Sequence, residues 1–194
     1  MNHLDLLQQS QNLQREGENV LQALRLLETL SQYGSPTIVG SMATGLMTWR
    51  DIDIEIVKDI NEEDYWQVVK YVFHQVNLKD TTVIDYRKSV NPNTPKGLYL
   101  CIRYYGEEQK IWKIDIWFLP PRTSKKENIN EWIKDKLTKE NRKTILEIKF
   151  AIHDNPKYTK DIFSIDIYEA VIQHKVKDIE DFKKYLQKIE KTLE

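Results

Sequence analysis

The first thirty residues carry an apolar stripe with the spacing of an amphipathic helix. Leucine and valine recur every three or four positions between residues 3 and 32, and this spacing predicts a helix with one buried face. Gly17 is a candidate break between two helical segments. The turn residues Tyr33-Gly-Ser-Pro36 end the stripe, so the next element starts after them.

Beyond this helix, strand patterns come first and helical spacing returns later. Thr37 to Val39 and Asp51 to Val57 have the patterns of strands. Asn61 opens a helix with acidic residues in its first turn, which continues to about Leu78. Further strands are predicted near 81–89, 97–105 and 110–119. After Pro120-Pro121, helical patterns cover 125–136, 138–153, 164–175 and 178–192.

This order of elements predicts an α+β fold, in which a mixed sheet of about five strands with flanking helices is followed by a C-terminal helical region. We place the core, with its N-terminal helix, at residues 1–120 and the helical region at 121–194. The boundary near Pro120-Pro-Arg-Thr-Ser124 is a change of composition and not a flexible linker. We therefore expect the two parts to pack and to form a cleft between them.

The composition narrows the class of protein. Among 194 residues, 29 Lys and Arg oppose 30 Asp and Glu, which gives a formal charge of −1. Proteins that hold long duplex nucleic acid usually have a basic excess, so this balance counts against a nucleic-acid partner. The one cysteine, Cys101, rules out an intrachain disulfide and a cysteine-rich zinc site. No apolar run reaches membrane length and no signal-peptide pattern opens the chain, so we expect a cytoplasmic protein without membrane contact.

Candidate chemistry is concentrated between Ile38 and Ile56. Asp51 and Asp53 are two residues apart on a predicted strand and therefore project from the same face. Carboxylates this close repel one another unless a cation lies between them, and a divalent metal that carries a nucleotide phosphate would supply it. Asp115 lies within another apolar strand, where an unpaired carboxylate is costly to bury. If the two strands are neighbours, the three carboxylates form one cluster.

A glycine-serine pair precedes these carboxylates. Gly40 allows the backbone to approach an anion closely, and Ser41 adds a hydroxyl and an N–H group for phosphate oxygens.

Each of the aspartate patterns also has a structural interpretation. Alternating Asp and Ile residues also fit a solvated strand edge, and Asp115 could instead pair with Lys113 or Arg103.

Taken together, Gly40-Ser41, a nine-residue spacer, Asp51-Ile-Asp53-Ile and the later strand around Asp115 resemble the DNA polymerase beta-like nucleotidyltransferase superfamily. The resemblance covers roughly residues 36 to 119. It implies nucleotidyl transfer, in which a hydroxyl displaces pyrophosphate from the alpha phosphorus of an NTP. It also implies that Asp51 and Asp53 bind two Mg²⁺ ions, that Asp115 binds the catalytic ion, and that Gly40 and Ser41 hold the triphosphate.

The short chain, near-neutral charge and helical C-terminus look most similar to the small-substrate branch, such as the aminoglycoside and lincosamide nucleotidyltransferases. The expected reaction moves AMP from ATP to a hydroxyl of a small molecule. Arg50 could steady a phosphate, and Lys149 could contact the triphosphate, as a lysine of this region does in relatives. A solvated surface position is the alternative for both. Asp115 and Glu55 are the candidate general bases.

Other functions stay open at this point. The fold could serve as a non-catalytic or antitoxin-like binding module, or it could transfer nucleotides to RNA or protein. The aromatic residues around the predicted sheet are expected mostly in the core or in cross-strand pairs, with one or two placed to stack on a base or a substrate ring. The amphipathic helix pair over 164–192 could form a homodimer interface or bind a partner protein.

Overall fold

The computed structural model describes residues 3–92, 94–121 and 129–194. The helices are α1 His3–Ala23, α2 Leu26–Ser31, α3 Gly40–Thr44, α4 Glu62–Phe73, α5 Ile129–Lys136, α6 Lys139–Ala151, α7 Ser164–Ile172 and α8 Ile179–Lys188. The strands are β1 Pro36–Val39, β2 Asp51–Val57, β3 Leu78–Asp85, β4 Leu98–Tyr105 and β5 Ile111–Leu119. A short 3₁₀ turn, Glu107–Gln109, lies between β4 and β5.

In the described part of the chain, the strands form one five-stranded sheet in the order β1-β2-β5-β4-β3. β2 and β5 are parallel, whereas the other neighbouring pairs are antiparallel. Parallel strands need a long connection, and here it contains α4, β3 and β4. This mixed sheet with flanking helices confirms the predicted α+β fold class.

The sheet has one apolar face and one polar face. Ile52, Ile54 and Ile56 of β2 are fully buried, and so are Ile114 and Ile116 on neighbouring β5. Each such side chain stabilises the fold by about 1.5–3 kcal/mol relative to an exposed position. Because successive residues of a strand point to opposite faces, the charged residues between these isoleucines lie together on the other face.

Helix α4 packs on the apolar face. Its Asn61 cap accepts a hydrogen bond from the Asp64 N–H, which fixes the start of the helix. The ring of Tyr65 packs edge-on against Phe118 of β5, with centroids 5.5 Å apart. The Tyr65 hydroxyl donates to the Tyr99 carbonyl at 2.7 Å, so the helix is tied to the sheet by both apolar and polar contacts.

The N-terminal helical segment breaks at a different residue from the one predicted. Gly17 lies inside α1, where an added Cβ would be 3.1 Å from the ring of Trp112. This glycine therefore permits close packing and does not end the helix. The break comes at Arg25, which adopts a left-handed φ of 45° that cannot continue a right-handed helix.

The boundaries around β3 also differ from the prediction. α4 ends at Phe73 instead of near Leu78, and β3 covers Leu78–Asp85 instead of 81–89. The strand ends early because the Asp85 side chain accepts a hydrogen bond from the Arg87 N–H at 2.9 Å, which turns the chain. The observed bounds of α6, α7 and α8 lie inside their predicted ranges.

The chain divides into two compact units. The described residues of Met1–Leu13, Thr44–Thr48 and Glu127–Glu194 form the first, and those of Gln14–Ala43 and Trp49–Lys126 form the second. Predicted helical residues 125–128 and part of the predicted boundary, 122–124, lie outside the described residues. Among the helices that are described, none combines the length and apolarity needed to cross a membrane.

Candidate active site

The parallel pairing of β2 with β5 brings the three predicted carboxylates together. Asp53 lies directly opposite Asp115, and Asp51 lies opposite Lys113. Paired residues on neighbouring strands project from the same face. The strands are therefore neighbours, as a cluster of three carboxylates requires, and the cluster lies on the polar face of the sheet.

Lys113 supplies positive charge within this cluster. Its Nζ lies 2.6 Å from Asp115 Oδ2 and 3.4 Å from Asp51 Oδ1. Although burial acts to lower the pKa of Lys113, the charges of Asp51 and Asp115 raise it above its ordinary value. Of the two alternative partners for Asp115, Lys113 makes the contact, while Arg103 pairs with Asp80 at 2.6 Å.

Asp53 and Asp51 carry negative charge that Lys113 offsets only in part. Burial and the charges of Asp51 and Asp115 raise the pKa of Asp53 to about 7. Burial also raises the pKa of Asp51, where the charge of Lys113 acts in the opposite direction. Near neutral pH, carboxyl groups in this condition either hold a proton or recruit a cation.

The glycine-serine turn lies against Asp53. Gly40 has a φ of +67°, and a Cβ at this position would be 2.5 Å from Asp53 Oδ2. Only glycine meets both conditions without strain. Ser41 follows as the second residue of α3. A turn of this kind can present backbone N–H groups to phosphate oxygens, and this one lies beside the Asp53 carboxylate. Phosphate binding by Gly40 and Ser41 stays a prediction.

Arg50 and Lys149, the two predicted phosphate contacts, form hydrogen bonds within the protein. Arg50 donates from Nε and Nη2 to Glu16 Oε2, at 3.0 and 2.8 Å. Lys149 is 1% exposed; its Nζ donates to the Leu46 carbonyl at 2.7 Å and lies 3.4 Å from the Tyr168 hydroxyl. Lys149 belongs to the first unit, whereas the carboxylates belong to the second. Nucleotide binding by Arg50 and Lys149 stays a prediction.

One further site residue was not identified from the sequence. The Tyr99 hydroxyl donates to Asp115 Oδ1 at 2.8 Å, and burial together with the Asp115 charge raises the pKa of Tyr99. Tyr99 meets Asp115 only through the register of β4 with β5, for which the sequence has no local signal. The pairing of Lys113 with Asp115 is one of the alternatives that the sequence left open, whereas its contact with Asp51 depends on the register of β2 with β5.

The donor chemistry fits Mg²⁺, which prefers carboxylate oxygens. Burial raises the pKa values of Asp51 and Asp53, and neighbouring carboxylates add to this rise. A divalent cation beside these groups would favour their charged forms. In the observed side-chain positions, no group of three or more His, Cys, Asp or Glu residues in the described part of the chain is arranged to hold a metal ion. Metal binding by Asp51, Asp53 and Asp115 stays a prediction.

Gly40→Ala is expected to destabilise the protein more than Gly45→Ala. Both glycines have a φ of +67°, so alanine costs about 1–2 kcal/mol of backbone strain at either position. At position 40 the added Cβ would lie 2.5 Å from Asp53 Oδ2, whereas at position 45 it would lie 2.9 Å from Nη1 at the end of the longer Arg142 side chain. Urea unfolding of both variants measures the difference, and equal losses would contradict the close contact with Asp53.

The stability of the metal-free protein is expected to fall as pH rises from about 4 to 7. The folded state binds a proton at Asp53 that the unfolded state has already released, because the pKa of Asp53 is raised to about 7. Asp53→Asn should remove up to about 4 kcal/mol of this pH dependence. Urea unfolding in EDTA at pH 5 and pH 8 tests this, with Asp161→Asn at an exposed position as the control that should keep the wild-type slope.

Lys113→Met is expected to tighten Mg²⁺ or Mn²⁺ binding by at least about tenfold, because it removes a cation that competes for Asp51 and Asp115. Lys113→Arg keeps the charge and should stay close to wild type. Lys110→Met removes an exposed lysine paired with Glu108 and serves as a second control. Calorimetric metal titrations measure the affinities. Unchanged or weaker binding by Lys113→Met would show that Lys113 does not compete with the metal.

Comparison with protein-family models finds no match for this chain, and comparison with curated proteins finds none either. Among solved structures, it is similar to Cid1, an RNA terminal uridylyl transferase, with a TM-score of 0.56 and 14% identity over 81% of this chain and 46% of that one. A cytoplasmic RNA terminal U-transferase gives a TM-score of 0.48 and 15% identity over 81% of this chain and 46% of that one. JHP933 from Helicobacter pylori gives a TM-score of 0.37 and 15% identity over 73% of this chain and 66% of that one.

The chain spans about half the length of the two RNA transferases. At 14% identity, the likeness to Cid1 establishes a shared architecture. The protein therefore shares with Cid1 the α+β fold, in which helices flank a mixed five-stranded sheet.

Proposed function

We propose that the protein is a metal-dependent nucleotidyltransferase that moves a nucleoside monophosphate from an NTP to a hydroxyl group and releases pyrophosphate. One observation carries the proposal. On the polar face of the sheet, the Gly40 turn lies against Asp53 of β2, and Asp53 lies opposite Asp115 of the neighbouring strand β5. A phosphate-binding turn beside paired carboxylates is the arrangement that this reaction needs.

The chain's own residues would divide the work of the reaction. Gly40 and Ser41 would position the triphosphate, and Asp51, Asp53 and Asp115 would hold one or two Mg²⁺ ions. The bound metal would stabilise negative charge on the phosphate oxygens. The acceptor oxygen forms a bond to the alpha phosphorus as the bond to pyrophosphate breaks, and the hydroxyl proton passes to a carboxylate. Asp115 and Glu55 are the candidates for this base, and positioning would supply much of the rate.

For the substrates, we infer transfer of AMP from ATP to a small molecule. The near-balanced charge of the chain supports a small acceptor. RNA is the second candidate, because the fold is similar to that of Cid1, which has RNA terminal uridylyl transferase activity. A cytoplasmic location, the lack of membrane contact, and association as a homodimer or with a partner protein stay predictions.

Asp51→Asn and Asp115→Asn are each expected to lower nucleotidyl transfer by at least about 100-fold while the fold is kept. Pyrophosphate release would be measured with Mg²⁺ and each labelled NTP against aminoglycosides, lincosamides, tRNA and candidate proteins. Asp80→Asn is the matched control, because Asp80 also lies on a strand of this sheet but pairs with Arg103. Full activity in both site variants would show that the mechanism is wrong, and the productive acceptor would decide between a small molecule and RNA.

A further inference from the structure

Asp115 has donors from the protein itself on both of its carboxylate oxygens. Oδ1 accepts a hydrogen bond from the Tyr99 hydroxyl at 2.8 Å, and Oδ2 accepts one from Lys113 Nζ at 2.6 Å. The Asp115 side chain is 13% exposed, so little of it is open to other groups. A metal ion bound to Asp115 would therefore compete with contacts that the fold already supplies.

The register of the sheet holds Lys113 between two carboxylates. Lys113 lies opposite Asp51 of β2 and two residues before Asp115 on β5, so the three side chains project from the same face. Its Nζ lies 2.6 Å from Asp115 Oδ2 and 3.4 Å from Asp51 Oδ1. A metal ion that bridged Asp51 and Asp115 would need this same position. The ammonium group and such an ion are therefore mutually exclusive.

The nearest arginine on this face is engaged elsewhere. Arg103 lies opposite Lys113 in the register of β4 with β5, but its Nε pairs with Asp80 of β3 at 2.6 Å. In the part of the chain that the structure describes, Lys113 is thus the basic residue that forms ion pairs with the candidate metal ligands.

The charges at the three aspartates match one divalent ion. The aspartates carry three negative charges when they are ionised, and Lys113 offsets one of them, which leaves two. One Mg²⁺ or Mn²⁺ ion balances these two charges. A second divalent ion would leave an excess of positive charge among half-buried groups, and such an excess is costly to hold away from water. The metal-free cluster therefore has room, in charge, for one ion.

Asp53 and Asp51 are the carboxylates left for this ion. Asp53 lies against the Gly40 turn, where a Cβ at position 40 would be 2.5 Å from Asp53 Oδ2. An ion held by Asp53 and Asp51 would therefore lie on the side of the cluster next to this turn. The proposed function assigns the turn to the triphosphate, so the role given to the ion here rests on that function.

We propose that Lys113 is a resident cation that takes the place of a second metal ion, so that the site binds one divalent ion through Asp51 and Asp53. Asp115 then holds Lys113 instead of a metal, and the Tyr99 hydroxyl keeps Asp115 in place. The positive charge that a second ion supplies in a two-metal site comes here from the lysine ammonium. This arrangement differs from the two ions that the family resemblance implies.

Titration of the full chain with Mn²⁺, without nucleotide, counts the ions by calorimetry and by electron paramagnetic resonance. Two Mn²⁺ ions about 3.5–4 Å apart give a spin-coupled spectrum, whereas a single ion does not. We expect one uncoupled ion in the wild type, in Lys113→Arg and in the surface control Lys110→Met. Lys113→Met should bind two coupled ions, and Lys113→Met combined with Asp115→Asn should return to one. Asp53→Asn should weaken binding of the wild-type ion at least about tenfold.

The possible failures are separable. A coupled ion pair in the wild type, or a single ion in folded Lys113→Met, overturns the role of Lys113 and leaves nucleotidyl transfer untouched. Mn²⁺ binding that Asp53→Asn does not weaken also overturns it. Circular dichroism checks the fold, and Lys113→Gln, which also removes the charge, replaces Lys113→Met if that variant is unfolded. The expected ion counts in a wild-type protein that releases no pyrophosphate with any acceptor would support the resident cation and reject the proposed function instead.

Discussion

The parallel pairing of β2 with β5 is the constraint on which both the core and the candidate site depend. In the observed register, isoleucine lies opposite isoleucine on one face, and Asp53 lies opposite Asp115 on the other. A shift of one residue would exchange the faces of a strand and would place aspartates in the apolar core, at a cost of several kcal/mol each. The burial that stabilises the sheet therefore also fixes the carboxylates side by side.

Local patterns are enough to predict the strands and the turn that carry the candidate site residues, but not which strands are neighbours in the sheet. The alternation in β2, the Gly40-Ser41 turn and the strand around Asp115 follow from two-residue periodicity and turn chemistry. The contact of Lys113 with Asp51 and the hydrogen bond from Tyr99 to Asp115 depend on which strands are neighbours and in what register. The packing of the whole sheet determines which strands are neighbours and in what register. A short stretch of sequence therefore does not predict these contacts.

The basic residues illustrate a second limit of sequence patterns. A lysine or arginine on a helix has the same pattern whether it binds a phosphate, a carboxylate or a backbone carbonyl. Within the first unit, Arg142 donates to the Gly45 carbonyl at 2.6 Å and Lys149 donates to the Leu46 carbonyl at 2.7 Å. Buried carbonyl groups must be paired, and these two side chains meet that need for the segment that follows α3. A predicted phosphate ligand can thus be part of the framework.

Net charge describes this protein less well than the distribution of charge. The chain is close to neutral as a whole, yet on the polar face of the sheet burial together with the neighbouring carboxylates raises the pKa of Asp53 to about 7. Lys113 lies among these carboxylates, whereas other positive charges, such as those of Arg25, Lys183 and Lys184, are held in exposed ion pairs. An anionic substrate would experience the negative electrostatic field of this face and not the near-zero net charge of the whole chain. The repulsion that makes a cation useful at the carboxylates is thus the same repulsion that limits which acceptors can approach them.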